Sequence, residues 1–339
     1  MNIDLEALRT IESERGIQVK DLLEAIAGAL LYSYLDYREQ SAASKSEGTK
    51  SRVDIDADTG AVTVIVTESD PETGEVISEY DDTPENFSRV GAQAVREAII
   101  RKLREAEAEV TYESYSELTG RVVSGIVQRD VRANERGVVV VQLGTELDSQ
   151  DAILLPAEQL PGEKLEHGDR IKAYVVGVTR NGAQVQITLS RTHPELVRGL
   201  FELEIPEVGD GAVELVAIAR EAGHRSKVAV RATVKGVNAK GACIGPRGAR
   251  VTNIMQELGG EKIDIIDWDE DPAKYVGNSL APSKVVNVEV LDREAQAARV
   301  IVPDYQLSLA IGKEGQNARL AARLTGWKID IRSDADAAQ

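Results

Sequence analysis

The 339-residue sequence predicts a multidomain α+β protein, and three observations carry that prediction. A pattern of helix, Gly-x-x-Gly turn, helix and strand occurs twice, in residues 242–268 and again in residues 309–332. Five short apolar segments crowd into residues 121–191, as the strands of a small barrel do. An acidic stretch with both helical and strand periodicity precedes them. Because a missed repeat misassigns a whole fold, the repeat anchors the assignment.

The N-terminal stretch predicts helices followed by a small sheet and a long helix. Apolar residues at helical spacing mark a helix over residues 19–37, and Asp58-Thr59-Gly60 turns the chain between two alternating strands. A third strand is predicted over residues 74–80 and a long helix within 84–117. The expected division of the chain is an N-terminal α+β domain (1–118), a barrel (119–192), two repeats (193–268 and 269–333) and a tail (334–339).

Each repeat has the composition of a phosphate-binding turn. Its two glycines lack a Cβ atom, so a phosphate can come close to the backbone. The following helix points free N–H groups and the positive end of its dipole toward the same place. This is the core pattern of the KH domain, whose GXXG loop clamps nucleic-acid backbone. The order helix–strand–strand–helix–helix–strand predicts two tandem KH domains of the bacterial form (type II).

The candidate RNA-binding residues are the two loops, the apolar residue before each loop and the polar or basic side chains nearby. They are Arg225, Lys227, Arg231, Lys240, Ile244, Gly245, Pro246, Arg247, Gly248 and Arg250 in the first repeat, and Ile311, Gly312, Lys313, Glu314, Gly315, Gln316, Asn317 and Arg319 in the second. Ile244 and Ile311 are expected to form an apolar floor under the bases. Because an acid beside a phosphate costs binding, we expect the second loop to use mainly its glycine N–H groups and Arg319.

The net charge of −17 argues against an ordinary nucleic-acid binder, so its distribution along the chain matters. Residues 1–119 carry a net charge of −14, residues 120–190 of −1 and residues 191–339 of −2. Residues 220–250 hold eight basic residues against one acid, a local +7 that predicts a phosphate footprint at the first loop. The N-terminal acid indicates either a solvated surface or a docking domain for a basic protein, and the acid count alone favours the first.

Residues 119–192 predict a five-stranded OB-type β-barrel. The strand order resembles the RNA-binding fold of ribosomal protein S-one, including Leu-Leu-Pro before a Gly-Asp-Arg-Ile strand and a closing Leu-Ser-Arg. Such barrels usually offer aromatic stacking platforms, and Tyr174 is the only aromatic residue here. The barrel is therefore expected either to bind RNA or only to space its neighbours.

Several kinds of site are not predicted. Cys243 is the single cysteine, so no internal disulfide can form, and we expect it to be a small core residue. The three histidines lack metal-ligand spacing, so no metal site and no cofactor are expected. No signal peptide opens the chain and no apolar run approaches the ~20 residues that span a bilayer, so we expect a cytoplasmic protein without a membrane partner.

The acidic N-terminal domain, the S-one-type barrel and the two KH domains, in that order, resemble the NusA family of bacterial transcription factors. Residues 309–320 are similar to that family's second GXXG helix pair, and residues 221–227 are similar to its first KH hairpin. The opening Met-Asn-Ile-Asp and the run over residues 238–243 suggest the actinobacterial branch. The resemblance covers nearly the whole chain.

The resemblance implies a transcription elongation factor. Such a factor binds RNA polymerase core through its N-terminal domain and nascent single-stranded RNA through the barrel and KH domains, modulating pausing, termination and antitermination. It also implies contact with other elongation or antitermination factors, and we expect a monomer. Two alternatives are a ribosome-associated KH/OB RNA-binding protein and an RNA enzyme such as polynucleotide phosphorylase. No carboxylate cluster, Ser/His/Asp set or Walker loop is present, so enzymatic activity is not expected.

Overall fold

A computed structural model describes residues 1–40, 48–145 and 149–337 of the chain. The chain forms two compact units. One consists of residues 1–114 with 179–185, and the other of residues 115–178 with those from 186 onward.

The first unit packs helices against a three-stranded antiparallel sheet of order β1-β2-β3. Its elements are α1 (Leu5–Arg15), α2 (Val19–Gln40), β1 (Thr49–Ile55), β2 (Val62–Ser69), β3 (Val76–Asp81) and α3 (Phe87–Ser116). Asp4 caps α1 by accepting the N–H groups of its first turn, and Gly16 ends it in the left-handed conformation. One face of α2 packs on the alternate valines of β2. The apolar residues predicted at helical spacing in α2 and at alternate positions in β2 therefore form one core.

The second unit begins with a closed barrel of order β4-β5-β6-β8-β7, which confirms the predicted five-stranded fold. Its elements are β4 (Val122–Gln128), α4 (Val131–Glu135), β5 (Val139–Leu143), β6 (Gln150–Leu154), β7 (Arg170–Asn181) and β8 (Gln184–Ser190). The pairing of β4 with β7 closes the barrel. A Cβ on Gly125 of β4 would lie 2.5 Å from a methyl of Val141, so only glycine fits at that crossing.

The first KH domain follows directly. Its elements are α5 (Pro194–Glu204), α6 (Pro206–Gly209), β9 (Val213–Glu221), β10 (Arg225–Ala232), α7 (Ala239–Ile244), α8 (Ala249–Glu257) and β11 (Lys262–Asp267). The sheet order is β11-β10-β9, with β10 and β11 parallel, and the helices bury one face of this sheet. Cys243 lies fully buried in that core, and burial raises the pKa of its thiol to about 11.

The second KH domain repeats the same order of elements. They are α9 (Pro272–Ser279), β12 (Asn287–Asp292), β13 (Ala297–Val302), α10 (Leu307–Ile311), α11 (Gln316–Thr325) and β14 (Lys328–Ser333), followed by a short α12 (Asp334–Ala337). The sheet order is β12-β13-β14, with β13 and β14 parallel. The predicted bacterial form of the KH fold is therefore present twice.

The two KH domains share an apolar interface. Leu320 and Leu324 of α11 are buried against Ala219, Ala229 and Ile266 on the outer face of the first KH sheet. That sheet thus has its own helices on one face and helices of the second KH domain on the other. The matching face of the second sheet carries Arg299, Asp330 and Arg332, which form exposed or half-exposed ion pairs.

A buried arginine joins the barrel to the first KH domain. Arg191 is only 2% exposed, and its guanidinium donates to the Glu163 carboxylate, at 2.5 Å, and to the Lys172 carbonyl, at 2.6 Å, on the barrel side. On the KH side it donates to the Oε1 and the carbonyl oxygen of Glu257, the last residue of α8, at 3.1 and 2.8 Å. A charge at this depth is tolerated because it is paired and hydrogen-bonded.

Candidate nucleic-acid interface

The two Gly-x-x-Gly loops, residues 245–248 and 312–315, have nearly the same backbone conformation. Their first glycines have φ of 76° and 79°, and their last glycines have φ of 76° and 73°. The third residues, Arg247 and Glu314, both stand at φ 54°, in the left-handed region that side chains other than glycine rarely adopt. The repeat seen in the sequence is therefore a repeat of backbone shape.

The first glycine of each loop is required by packing. A Cβ on Gly245 would lie 2.6 Å from Cγ of Arg250, and a Cβ on Gly312 would lie 2.8 Å from the backbone nitrogen of Asn317. Both glycines also have positive φ, so a larger residue would be strained as well as crowded. These two glycines bring the helices before and after each loop close together.

The second glycine of each loop faces open space. Around Gly315 no atom lies within 4 Å of the place where a Cβ would stand, and at Gly248 the nearest is the hydroxyl of Thr252 at 4.0 Å. The helices that begin here, α8 and α11, have N–H groups in their first turn without a partner inside the helix. This side of each loop is the one where the geometry allows a phosphate to approach backbone N–H groups.

The side chain five residues after each first glycine braces its loop. Arg250 donates from Nη1 to the carbonyl of Ala242 at 2.8 Å and also pairs with Glu207. Asn317 donates from Nδ2 to the carbonyl of Ala310 at 2.9 Å and to a second carbonyl at 3.1 Å. Asn317 is 3% exposed, so its side chain cannot reach RNA, and the predicted contact could come only from its backbone N–H in the first turn of α11. Its amide ties the helix before the loop to the helix after it.

The predicted +7 footprint of residues 220–250 does not exist as a +7 surface. Six of its eight cations form ion pairs at 2.6 to 3.9 Å, with Glu261 (Arg220), Asp264 (Arg225 and Lys227), Glu214 (Arg231), Asp267 (Lys240) and Glu207 (Arg250). Most of these acids come from β9 or from β11 and the residue before it, which lie beside β10 in the folded sheet. A count along the chain could not include them.

Lys227 is the clearest correction to the predicted site. Its side chain is 0% exposed, and its ammonium donates to Asp264 at 3.1 Å and to the carbonyl of Ala281 at 2.6 Å. Burial lowers the pKa of this lysine below its ordinary range. A phosphate cannot reach a side chain at this depth, so Lys227 is a packing residue between the two KH domains.

Two other arginines of the predicted footprint are partly exposed but already paired. Arg225 makes a two-point contact with the carboxylate of Asp264, at 2.7 and 2.9 Å, and this contact raises its pKa. Arg231 lies over the ring of Trp268, 4.9 Å from its centre, and pairs with Glu214. A phosphate would have to compete with these partners.

The loop cations are predicted residues that are both exposed and unpaired among the described residues. Arg247 and Lys313 are exposed, and within the part of the chain that the structure describes neither has an ion-pair partner. Pro246 and Glu314 are exposed beside them. Ile244 is half-buried and Ile311 is 39% exposed, each directly before its loop. The structure thus brings the loop residues of each repeat together as a small surface.

Arg319 and Gln316 do not stand free beside the second loop. Nε of Arg319 lies 2.6 Å from one carboxylate oxygen of Glu221, and Nε2 of Gln316 lies 2.9 Å from the other. Glu221 ends β9 of the first KH domain, so both side chains are held by the neighbouring domain. A phosphate that bound Arg319, as predicted, would have to compete with the Glu221 carboxylate.

Sequence reasoning missed one pair of exposed cations. Lys262 and Lys328 open β11 and β14, occupy the same position in the two repeats, and have no ion-pair partner within the described ranges. The repeated Lys-Ile-Asp-Ile was visible in the sequence and was the signal that could have identified them.

The barrel's one aromatic residue belongs to the joint with the first KH domain. The ring of Tyr174 stacks on His193, with ring centres 4.4 Å apart and planes 6° apart, and it packs against the first KH core. It is therefore only half accessible as a stacking platform.

The described residues contain neither a metal-binding cluster nor a helix that could cross a membrane. No group of three or more His, Cys, Asp or Glu side chains there is placed to hold a metal ion. None of the helices in those ranges has the length and apolarity that a membrane crossing requires.

Comparisons with known proteins agree with this arrangement. The family described as NusA-like first KH domain matches residues 191–268, and that described as NusA-like second KH domain matches residues 272–339. The transcription termination/antitermination protein NusA of Mycobacterium tuberculosis (strain H37Rv) is 59% identical over 335 residues, covering 99% of this chain and 94% of that protein. Its namesake from Bacillus subtilis (strain 168) is 42% identical over 355 residues, covering 98% and 91%.

Among solved structures, the solution structure of the N-terminal domain of NusA from B. subtilis covers 30% of this chain and 94% of that domain, at 27% identity and a TM-score of 0.25. This chain is more similar to the mycobacterial protein than to the Bacillus protein, which agrees with the predicted actinobacterial branch. With relatives this similar over nearly its whole length, the chain belongs to the NusA family of transcription termination/antitermination proteins.

Proposed function

We infer that this chain is a transcription termination/antitermination factor that binds RNA polymerase core and nascent single-stranded RNA. The observation that carries the inference is the near full-length similarity to relatives of that name. RNA binding is supported by two KH loops of one backbone shape, each with an open glycine at a helix start. The protein acts by binding and not as an enzyme.

The proposed mechanism at each loop is a backbone clamp. A phosphate lies against the second glycine and the first N–H groups of α8 or α11, where the helix dipole is positive. Arg247 and Lys313 add charge at the loop edge, and Ile244 and Ile311 offer apolar surface to the bases. Since the domains share a buried interface, we expect one strand to run across both loops.

The proposed division of labour follows the charge. Residues 1–119 carry a net −14, which repels RNA and suits a basic protein surface, so we assign polymerase binding to the segment 1–118 and RNA binding to 119–339. One end is then fixed on the enzyme while the other holds transcript, and this tethering raises the effective concentration of weak RNA sites. Modest affinity at each loop would be enough to bias RNA folding, and with it pausing and termination.

The test measures RNA binding and polymerase binding separately in variants of the intact chain. A variant with Arg247→Asp and Lys313→Asp should lose RNA crosslinking and its effect on terminator read-through, yet still co-purify with polymerase core. A matched control with Lys284→Asp and Arg293→Asp changes the same charge at exposed positions away from the loops. Co-purification with ribosomal subunits in place of polymerase would favour the ribosome-associated alternative. Equal RNA binding by the loop variant would contradict the clamp.

A further inference from the structure

The carboxylate of Glu221, at the end of β9 in the first KH domain, contacts the helix that follows the second GXXG loop. Glu221, 18% exposed at its side chain, accepts hydrogen bonds from Arg319 at 2.6 Å and Gln316 at 2.9 Å, with Arg323 at 3.8 Å. These two donors and the Arg323 cation lie on one face of α11, the helix that starts at the loop. These partners, Arg319 first, hold the pKa of Glu221 below its ordinary value.

Arg319 continues this chain of contacts into the loop. While its Nε faces Glu221, its Nη1 donates to the backbone carbonyl of Glu314 at 3.1 Å. Glu314 is the residue that stands in the left-handed region at φ 54°. Such a conformation persists when the surroundings fix it, and here the guanidinium supplies part of that constraint.

Of the two loops, only the second is tied to the other KH domain through an arginine. Seven residues after the first glycine, where the second repeat has Arg319, the first repeat has Thr252. The first loop has its own tie through Arg250, which lies within its domain. The second loop also has Asn317, but its link through Arg319 ends on a different domain.

The position of Glu221 relative to the loop is set by packing. Leu320 and Leu324, on the same helix as Arg319, are buried against Ala219 and Ile266 of the first KH sheet. Ala219 lies two residues before Glu221 on β9. A carboxylate held by a buried interface can fix a loop with little loss of further freedom.

We propose that Glu221 is a positioning residue for RNA: acting through Arg319, it holds the second GXXG loop in its phosphate-binding shape. The proposal rests on the proposed function, because it assumes that this loop binds single-stranded RNA. It assigns Arg319 to the loop's support and not to the phosphate. The first KH domain thereby prepares the binding site of the second.

A different role for Arg319 predicts the opposite change in RNA affinity when Glu221 is replaced. If Arg319 were itself the phosphate ligand, Glu221 would be a competitor that masks it, and removing the carboxylate would strengthen RNA binding. Lysine also serves well as a phosphate ligand, so Arg319→Lys would then keep its affinity. A single ammonium cannot copy two contacts made from two nitrogens of a planar guanidinium, so under the proposal the same variant loses the brace.

The experiment measures binding of the full chain to a fluorescent random-sequence RNA of about 12 nucleotides, long enough for two KH sites of four. Glu221→Gln and Arg319→Lys should each weaken affinity about fivefold, as expected when one immobilised side chain must be ordered on binding. Their combination should be little worse than either alone, because they break one unit. As a control, Glu289→Gln removes an exposed acid of β12 that has no ion-pair partner within the described ranges, and it should change affinity less than twofold.

Amide hydrogen exchange supplies a readout that general destabilisation would not mimic. In both variants the amides of residues 312–316 should exchange faster, while those of Gly245, Arg247 and Gly248 keep the parent rate. Equal or tighter RNA binding by Glu221→Gln, or full affinity in Arg319→Lys, would overturn the proposal and leave the proposed function standing. A parent chain that binds no RNA would overturn both.

Discussion

Arg247 and Glu314 share one backbone conformation, φ 54° with ψ 23° and 25°, and carry opposite charges at the same place in two loops. The loops therefore present the same backbone shape to a phosphate in different electrostatic surroundings, although Pro246 lacks the backbone N–H that Lys313 has at the same position. Comparing variants at these two positions therefore measures how much a loop charge contributes to RNA affinity.

Exchanging these charges should move RNA affinity in opposite directions. Glu314→Arg should tighten binding and steepen its salt dependence by about 0.7 in log–log slope, the increment for one more neutralised phosphate on a single strand. Arg247→Glu should weaken binding and flatten the slope. Titrations of a labelled RNA at several salt concentrations give both quantities.

The control is the double exchange, which restores the total charge of the two loops. If the loops are equivalent, this variant should regain most of the parent affinity. Equal slopes in all four proteins would mean that these loops do not hold phosphate.

Replacing Lys227 should leave the salt dependence of RNA binding unchanged. Lys227→Met removes a buried ammonium, but Asp264 keeps its two-point contact with Arg225. The salt slope of RNA binding should match the parent, whereas Arg247→Ala should lower it by about 0.7. A slope that fell equally in both variants would return Lys227 to the phosphate site.

Arg191 should contribute far more to stability than an exposed arginine. Arg191→Met leaves Glu163 and two carbonyls at the joint without their cation, and leaves Glu257 with only the Lys172 ammonium at 3.9 Å. Removing one partner of a buried pair costs about 3–5 kcal/mol. Arg332→Ala breaks an exposed pair with Asp330 and should cost less than about 1 kcal/mol. Urea unfolding of the two variants tests the difference, and similar midpoints would contradict the assigned role.

These cases show what the sequence could predict. The loops, the barrel strands and the KH order depend on local glycines and periodicities, so they were predictable. The neutralisation of residues 220–250 was not, because Lys227 and Asp264 are 37 residues apart and meet only when β10 pairs with β11. The burial of Asn317 and the contact between Glu221 and Arg319 likewise depend on packing between elements that no short pattern describes.

Acid should loosen the tie between Glu221 and α11. Because Arg319 and Gln316 lower the pKa of this carboxyl from its ordinary value of 4.5, the folded state favours the ionised form. The stabilisation is complete above the ordinary value and is lost as the pH falls through the lowered folded pKa. The difference in unfolding free energy between the parent and Glu221→Gln should therefore be largest at neutral pH and shrink toward zero below that pKa. Urea unfolding across this range measures it. In an Arg319→Ala background the difference should be much smaller at every pH, since the main partner is gone; a difference that grew in acid would show that Glu221 is stabilised in its protonated form.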